Sequence, residues 1–242
     1  MENENRTNPE VAAAPKARRV SHLWPVVSAI VALLLAFGLG ALVVLRSNAF
    51  ALGVDTEWMD ELVENRAPFW EVPALVMNYL GGGVIGVFLV PIIVIVALLF
   101  AKRPWGALYY FVATVLSAGV VQLLKQLFGR SRPEDILVVS DFGSFPSGHV
   151  ANAATMAVAL AIIFPKVWVW IAGAAYTVLM LLSRTYLGAH WLTDTIGGLL
   201  LGAGVAVVLW APLAAKLDGE HTIVTRDPSA PQLQRKQAAG KG

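Results

Sequence analysis

The chain has no cysteine, which excludes a disulfide framework, a thiolate nucleophile and a zinc–thiolate centre. Charge is scarce too: only 14% of the 242 residues are Asp, Glu, Lys or Arg, against about 25% in an ordinary soluble domain. The net charge of +2 is too small for a nucleic-acid binder, so no such partner is expected. Also missing are the residue alternation of a membrane β-barrel and any internal repeat. What the chain has instead is apolar residues, 57% of the total, the composition of a membrane protein.

Six apolar stretches run over residues 24–45, 72–100, 105–124, 146–164, 167–182 and 195–215. A spanning helix needs about 20 such residues. The expected fold is therefore all-α, a polytopic membrane protein with six transmembrane helices in a bundle over residues 21–215. The polar, Ala-, Pro- and Gln-rich ends, 1–20 and 216–242, predict disordered cytoplasmic tails. Pro73, Gly81–Gly83 and Pro91 interrupt the second stretch and predict a tilt or kink there. The fifth is short, which would hold Ser183 and Arg184 near a membrane surface. The first follows "KARR" and precedes "AFA" at 49–51, as a signal peptide would, but its run of about 22 apolar residues exceeds the usual h-region of about 7–15, so an uncleaved span is expected. In segment 47–71, Trp58, Met59, Leu62 and Val63 share one helical face with acids opposite, which fits either a short interfacial helix or a solvated connection.

Basic residues set the orientation. Twelve, among them Arg18, Arg19, Lys102, Arg103, Lys166 and Lys216, fall on one side of the six crossings; Arg46, Arg66, Lys125, Arg130, Arg132 and Arg184 fall on the other. The richer side, with both termini, is expected to be cytoplasmic. The same count brings Lys125, Arg130, Arg132, His149, Arg184, His190 and Asp194 to the outer membrane face. The other histidines, His22 and His221, fall on the opposite side. Charges so close to lipid are costly, and such a collection points to a functional site.

His190 and Asp194 are four residues apart, a spacing that puts both on one face of a helix. The carboxylate can fix the imidazole tautomer and leave the other nitrogen as nucleophile or base. An isolated pair of this kind is equally a satisfied histidine beside a helix-start acid. In "PSGH", Pro146 suits a helix start, where Ser147, Gly148 and the first amides can meet an anion and His149 can donate a proton. Lys125, Arg132 and Arg184 together call for a multiply charged anion, and arginine forks match phosphate oxygens. No carboxylate cluster suits magnesium, and the two histidines lack a third zinc ligand, so neither a metal nor another cofactor is expected.

"KQLFGRSRP", "PSGH" and "SRTYLGAHWLTD" together resemble the three-part signature of the type-2 phosphatidic acid phosphatase family, K-x(6)-R-P, P-S-G-H and S-R-x(5)-H-x(3)-D, over residues 125–194. Each part is a weak signal; the ordered triple is specific. The resemblance implies a metal-independent phosphatase working through a phosphohistidine. His190 would be the nucleophile, Asp194 its orienting partner and His149 the acid for the leaving oxygen. Lys125, Arg132, Ser147, Gly148 and Arg184 would cradle the phosphate. The six apolar runs argue against the family's soluble haloperoxidases. Expected partners are membrane lipids and a lipid phosphate substrate: polyprenyl diphosphate, phosphatidic acid or phosphatidylglycerol phosphate. A lipid phosphotransferase would carry the same motifs. An anion transporter would place its charges nearer the bilayer midplane.

Overall fold

The computed structural model describes residues 23–47 and 51–225, and every regular element among them is helical. The helices are α1 (Leu23–Ser47), α2 (Gly53–Glu64), α3 (Pro68–Gly81), α4 (Val90–Phe100), α5 (Pro104–Phe128), α6 (Gly148–Ile163), α7 (Val167–Tyr186) and α8 (Leu192–Thr225), with a π-helical turn at Ile85–Leu89. Four of them, α1, α5, α7 and α8, are each long and apolar enough to cross a membrane. α3 and the π turn with α4 pass the same test when taken together as one segment, bent by 50° where the sequence predicts a kink. α6 has 16 residues and falls short of the criterion, so of the six expected spans four helices meet it singly and a fifth only if the bent pair is counted as one.

Small residues explain the close packing of the centre. α6 lies against α5, α7 and α8, and α1 closes over α8. A Cβ on Gly198 would come within 2.5 Å of the Ser147 carbonyl oxygen, and one on Gly202 within 2.2 Å of that of Ala151. α8 can approach α6 only because those positions are bare, the usual device where lipid removes the hydrophobic drive between helices. Thr155 adds polar cross-links, with its Oγ1 3.0 Å from Ser117 Oγ and 3.2 Å from the Gly202 carbonyl. Outside this core, Leu34, Ile92, Phe100, Phe111 and Leu179 are exposed, as lipid-facing side chains are.

Two boundaries differ from the sequence expectation, and one of the alternatives it left open is decided. α7 continues through Ser183 and Arg184 to Tyr186, with both side chains buried within the protein. α8 continues to Thr225, so the polar tail does not start at 216. Glu220 is the reason: its carboxylate accepts the free N–H groups of Trp105 (2.8 Å) and Gly106 (3.1 Å) at the start of α5. Segment 53–64 is a helix, with Met59 buried, Trp58, Leu62 and Val63 half-buried, and Glu57, Asp60, Glu61 and Glu64 outward, lying against α7 and α8. The expected tail 1–20, and residues 226–242 of the other, lie outside the described residues.

Candidate active site

Four helix ends meet at one end of the bundle. α5 ends with Lys125 in its last turn and stops at Gly129, in left-handed conformation. The connection 129–147 brings Arg130 and Arg132 back over that end and enters α6 through a cis Phe145–Pro146 bond. α6 begins with Gly148 and His149, α7 carries Arg184 in its last turn, and α8 begins beside His190.

The cations converge. Lys125 Nζ donates to both oxygens of Asp141, at 2.7 and 2.8 Å. Arg132 Nη2 donates to Asp141 Oδ1 at 2.7 Å and to the Gly143 carbonyl at 2.9 Å, while its Nη1 donates to the Ala189 carbonyl. Arg184 is buried, and its Nη1 bonds the neutral side-chain oxygen of Asn78. No salt bridge to Arg184 occurs among the described residues, and its Nε has no hydrogen-bond partner there. Three cations therefore face one carboxylate, Asp141.

His190 is not on the helix that carries Asp194. It sits in the turn between α7 and α8, and α8 starts only at Leu192. The two still meet, because Asp194 Oδ2 accepts the Trp191 N–H at 2.9 Å and folds the turn onto the helix start. Asp194 Oδ2 lies 3.5 Å from His190 Nδ1, wider than a formed hydrogen bond. On the other side, Arg132 Nη1 lies 3.4 Å from His190 Nε2. A guanidinium can only donate, so Nε2 carries a lone pair and the proton is on Nδ1, toward Asp194. Burial, then the charges of Arg184, Arg132 and Lys125, hold the His190 pKa well below its usual value, so the imidazole is neutral near pH 7.

His149 Nε2 lies 3.1 Å from the Asn78 carbonyl, so it is the protonated nitrogen. Asn78 thus holds His149 by its backbone and Arg184 by its side chain. The break after α3 makes room for this: a Cβ on Gly82 would stand 2.2 Å from His149 Nε2. Ser147 donates its N–H to the Asp194 carbonyl at 2.9 Å, and its buried hydroxyl has no hydrogen-bond partner among the described residues.

These groups form the head of a cavity of about 820 Å³. Lys125, Arg132, Gly148, His149, Arg184 and His190 line it, whereas Ser147 and Asp194 stand behind the wall. Below the head the walls are apolar, with Phe88, Ile92 and Ile95 on one side and Phe111 and Val115 on the other. Phe111 and Lys125 both line it and are fourteen residues apart on α5, about 21 Å of helix. No cluster of three His, Asp or Glu side chains suited to a metal occurs among the described residues.

The three-part signature leaves out three contributors, two of them buried. Arg130 occupies an unspecified position inside K-x(6)-R-P; its Nη1 reaches Asp194 Oδ1 at 2.5 Å, and its guanidinium lies 5.7 Å from the Trp191 ring centroid. Asp55 of α2 reaches Arg130 from the other side at 2.6 Å. Asn78 is the third, and it carried a signal: an amide in an apolar run just before three glycines.

Residues 106–216 match the PAP2 superfamily, and the chain carries a PAP2 superfamily domain over that span. Phosphatidylglycerophosphatase B of Bacillus subtilis is 33% identical over 127 residues, 48% of this chain and 63% of that protein. Undecaprenyl-diphosphatase of Sulfolobus acidocaldarius is 46% identical over 63 residues, 26% of this chain and 30% of that protein. The chain thus matches less than two thirds of the length of either. The crystal structure of a transmembrane PAP2-type phosphatidylglycerolphosphate phosphatase from Bacillus subtilis superposes with a TM-score of 0.65 at 26% identity, covering 82% of this chain and 98% of that one.

Proposed function

We propose that the protein is a metal-independent phosphatase of membrane lipid phosphates or diphosphates, working through a phosphohistidine on His190. The observation that carries this reading is the placement of His190 Nε2: deprotonated, beside Arg132, at the head of an apolar cavity that also holds Lys125 and Arg184. The two phosphatase relatives and the matching fold support it.

The phosphate of the substrate displaces Asp141 and is held by Lys125, Arg132, Arg184 and the Gly148 end of α6, with the Ser147 hydroxyl turned toward it. His190 Nε2 attacks phosphorus while the bond to the lipid oxygen breaks. His149, entering the step as the imidazolium, supplies the proton that oxygen needs and is left neutral. The resulting phosphoimidazolium keeps its Nδ1 proton toward Asp194. A water then gives its proton to His149 and attacks phosphorus, the P–N bond breaks, and phosphate leaves with both histidines restored. The three cations neutralise charge on the phosphoryl oxygens throughout. The lipid chain lies along the apolar walls between α4 and α5. The substrates that suit this shape are polyprenyl diphosphate, phosphatidic acid and phosphatidylglycerol phosphate. The six apolar runs of the sequence favour six crossings, and the distribution of basic residues then favours cytoplasmic termini and a site open to the outer leaflet.

Phosphate release from a panel of these lipids by purified protein in detergent, with EDTA present, tests the reading. Release from at least one lipid, inhibited by orthovanadate, is expected. Activity that vanishes in EDTA and returns with magnesium would contradict it.

A further inference from the structure

Asp55 is fully buried, yet it lies outside all three motifs. Its Oδ1 accepts the Thr193 N–H at 2.9 Å, and its Oδ2 accepts the Thr193 hydroxyl at 2.8 Å and Arg130 Nη2 at 2.6 Å. Arg130 Nη1 reaches Thr193 Oγ1 at 2.8 Å and Asp194 Oδ1 at 2.5 Å. Asp194 Oδ2 faces His190 Nδ1. The side chains of Asp55, Arg130 and Asp194 are wholly out of solvent.

One guanidinium is enough to neutralise one carboxylate, and burying a second one uncompensated is costly. The charge balance gives the second a purpose. With Asp55, Arg130 and Asp194 ionised, the trio carries one net negative charge beside a neutral His190. When His190 becomes a phosphoimidazolium, its positive charge brings the group of four to zero. Without Asp55, Arg130 would cancel Asp194, and the imidazolium would form beside a neutral pair. Asp55 also bonds a free N–H at the start of α8, one residue before Asp194, and so fixes the helix start against which His190 is set.

We propose that Asp55, reaching in from α2, is a positioning residue for the phosphoryl-transfer step: it supplies the counter-charge that leaves Asp194 negative toward His190 and pins the start of α8. The proposal rests on His190 being the nucleophile. It gives the segment between the first two spans a catalytic purpose, beyond connecting them.

The test is a steady-state comparison of Asp55→Asn, Thr193→Val and His190→Ala with the native enzyme, each purified as a monodisperse, folded protein. In Asp55→Asn, kcat falls about tenfold or more, as a displaced catalytic group requires. KM stays within about twofold, because Asp55 touches none of the phosphate-binding cations. The acid limb of the kcat/KM profile moves to lower pH, because an anion near His190 has gone. The charges that face His190 (Lys125 from α5, Arg132 and Asp141 from the 129–147 connection, His149 from α6, Arg184 from α7 and Asp194 from α8) are unchanged in that variant. Thr193→Val keeps every charge and loses one hydroxyl; its kcat falls by several-fold with the acid limb unmoved, and it tests the helix-start contact even if Asp55→Asn does not fold. Native kcat and native pH profile in folded Asp55→Asn, or native kcat in Thr193→Val, would overturn the proposal while an inactive His190→Ala kept the nucleophile reading intact. Turnover in His190→Ala would remove both.

Discussion

Asp141 grips Lys125 with both carboxylate oxygens, at 2.7 and 2.8 Å, and takes Arg132 with one of them. On the proposed mechanism the carboxylate stands where the substrate phosphate binds. Partial burial works to raise its pKa, but the Lys125 hydrogen bond and the charges of Lys125 and Arg132 outweigh this and hold it below the usual carboxylate value. It is therefore ionised at neutral pH and, on that mechanism, competes with substrate. Its side chain is 57% exposed, on the connection rather than in the bundle, so it can swing away. Asp141→Asn should lower KM for lipid phosphates and the inhibition constant of inorganic phosphate by about tenfold, equivalent to about 1.4 kcal/mol. A rise in either constant would show instead that Asp141 assembles the cradle.

Gly82 leaves no room for a side chain beside His149. Gly82→Ala drives a methyl into the space of His149 Nε2. With a lipid alkoxide as leaving group, kcat should fall about 100-fold, the scale of a misplaced general acid. With p-nitrophenyl phosphate, whose leaving oxygen needs no proton, the loss should be far smaller. Equal losses on both substrates would mean that the methyl disturbs the phosphate seat rather than His149.

Burial and three neighbouring cations depress the His190 pKa, and this predicts a pH dependence of stability. In the unfolded chain a histidine titrates near about 6.5. Below that value the unfolded chain takes up a proton that the folded site refuses, so stability present above pH 6.5 is lost as pH falls toward the folded pKa. Thermal midpoints in detergent should fall between pH 7 and 5, and less steeply in His190→Asn. Parallel slopes would mean that other groups set the acid sensitivity.

Sidedness is open to chemical labelling, since the chain has no native cysteine. Val139, 103% exposed on the 129–147 connection, is one reporter, and the exposed Ala101 at the opposite end of α5 is the other. Val139→Cys should react with an impermeant thiol reagent on intact cells, and Ala101→Cys only after permeabilisation. The reverse pattern would place the site at the cytoplasmic leaflet.

The helices were legible because apolar runs and proline or glycine breaks are local signals, as at Pro73, Gly81–Gly83 and Pro91. The boundaries were less so. Glu220 extends α8 by capping α5, a partner 115 positions away from Trp105, and no periodicity records that contact. Lys125, Arg132, His149, Arg184 and His190 were readable as a set because each lies in a motif at a helix end. The i, i+4 argument for His190 and Asp194 reached the right contact for the wrong reason, since a turn and not a helix brings them together. Asp55 was unreadable: nothing in "GVDTEWMDELVE" separates it from the four exposed acids on the same helix.

The most direct test of the account is to find the phosphorylated residue. Purified protein is mixed with a lipid phosphate substrate labelled at phosphorus, quenched in alkali during turnover with EDTA present, and the labelled peptide is mapped. The expected result is base-stable, acid-labile phosphate on His190, formed more slowly in Asp194→Asn and absent, together with all turnover, in His190→Ala. Phosphate on another residue, or steady turnover by His190→Ala, would contradict the phosphohistidine mechanism.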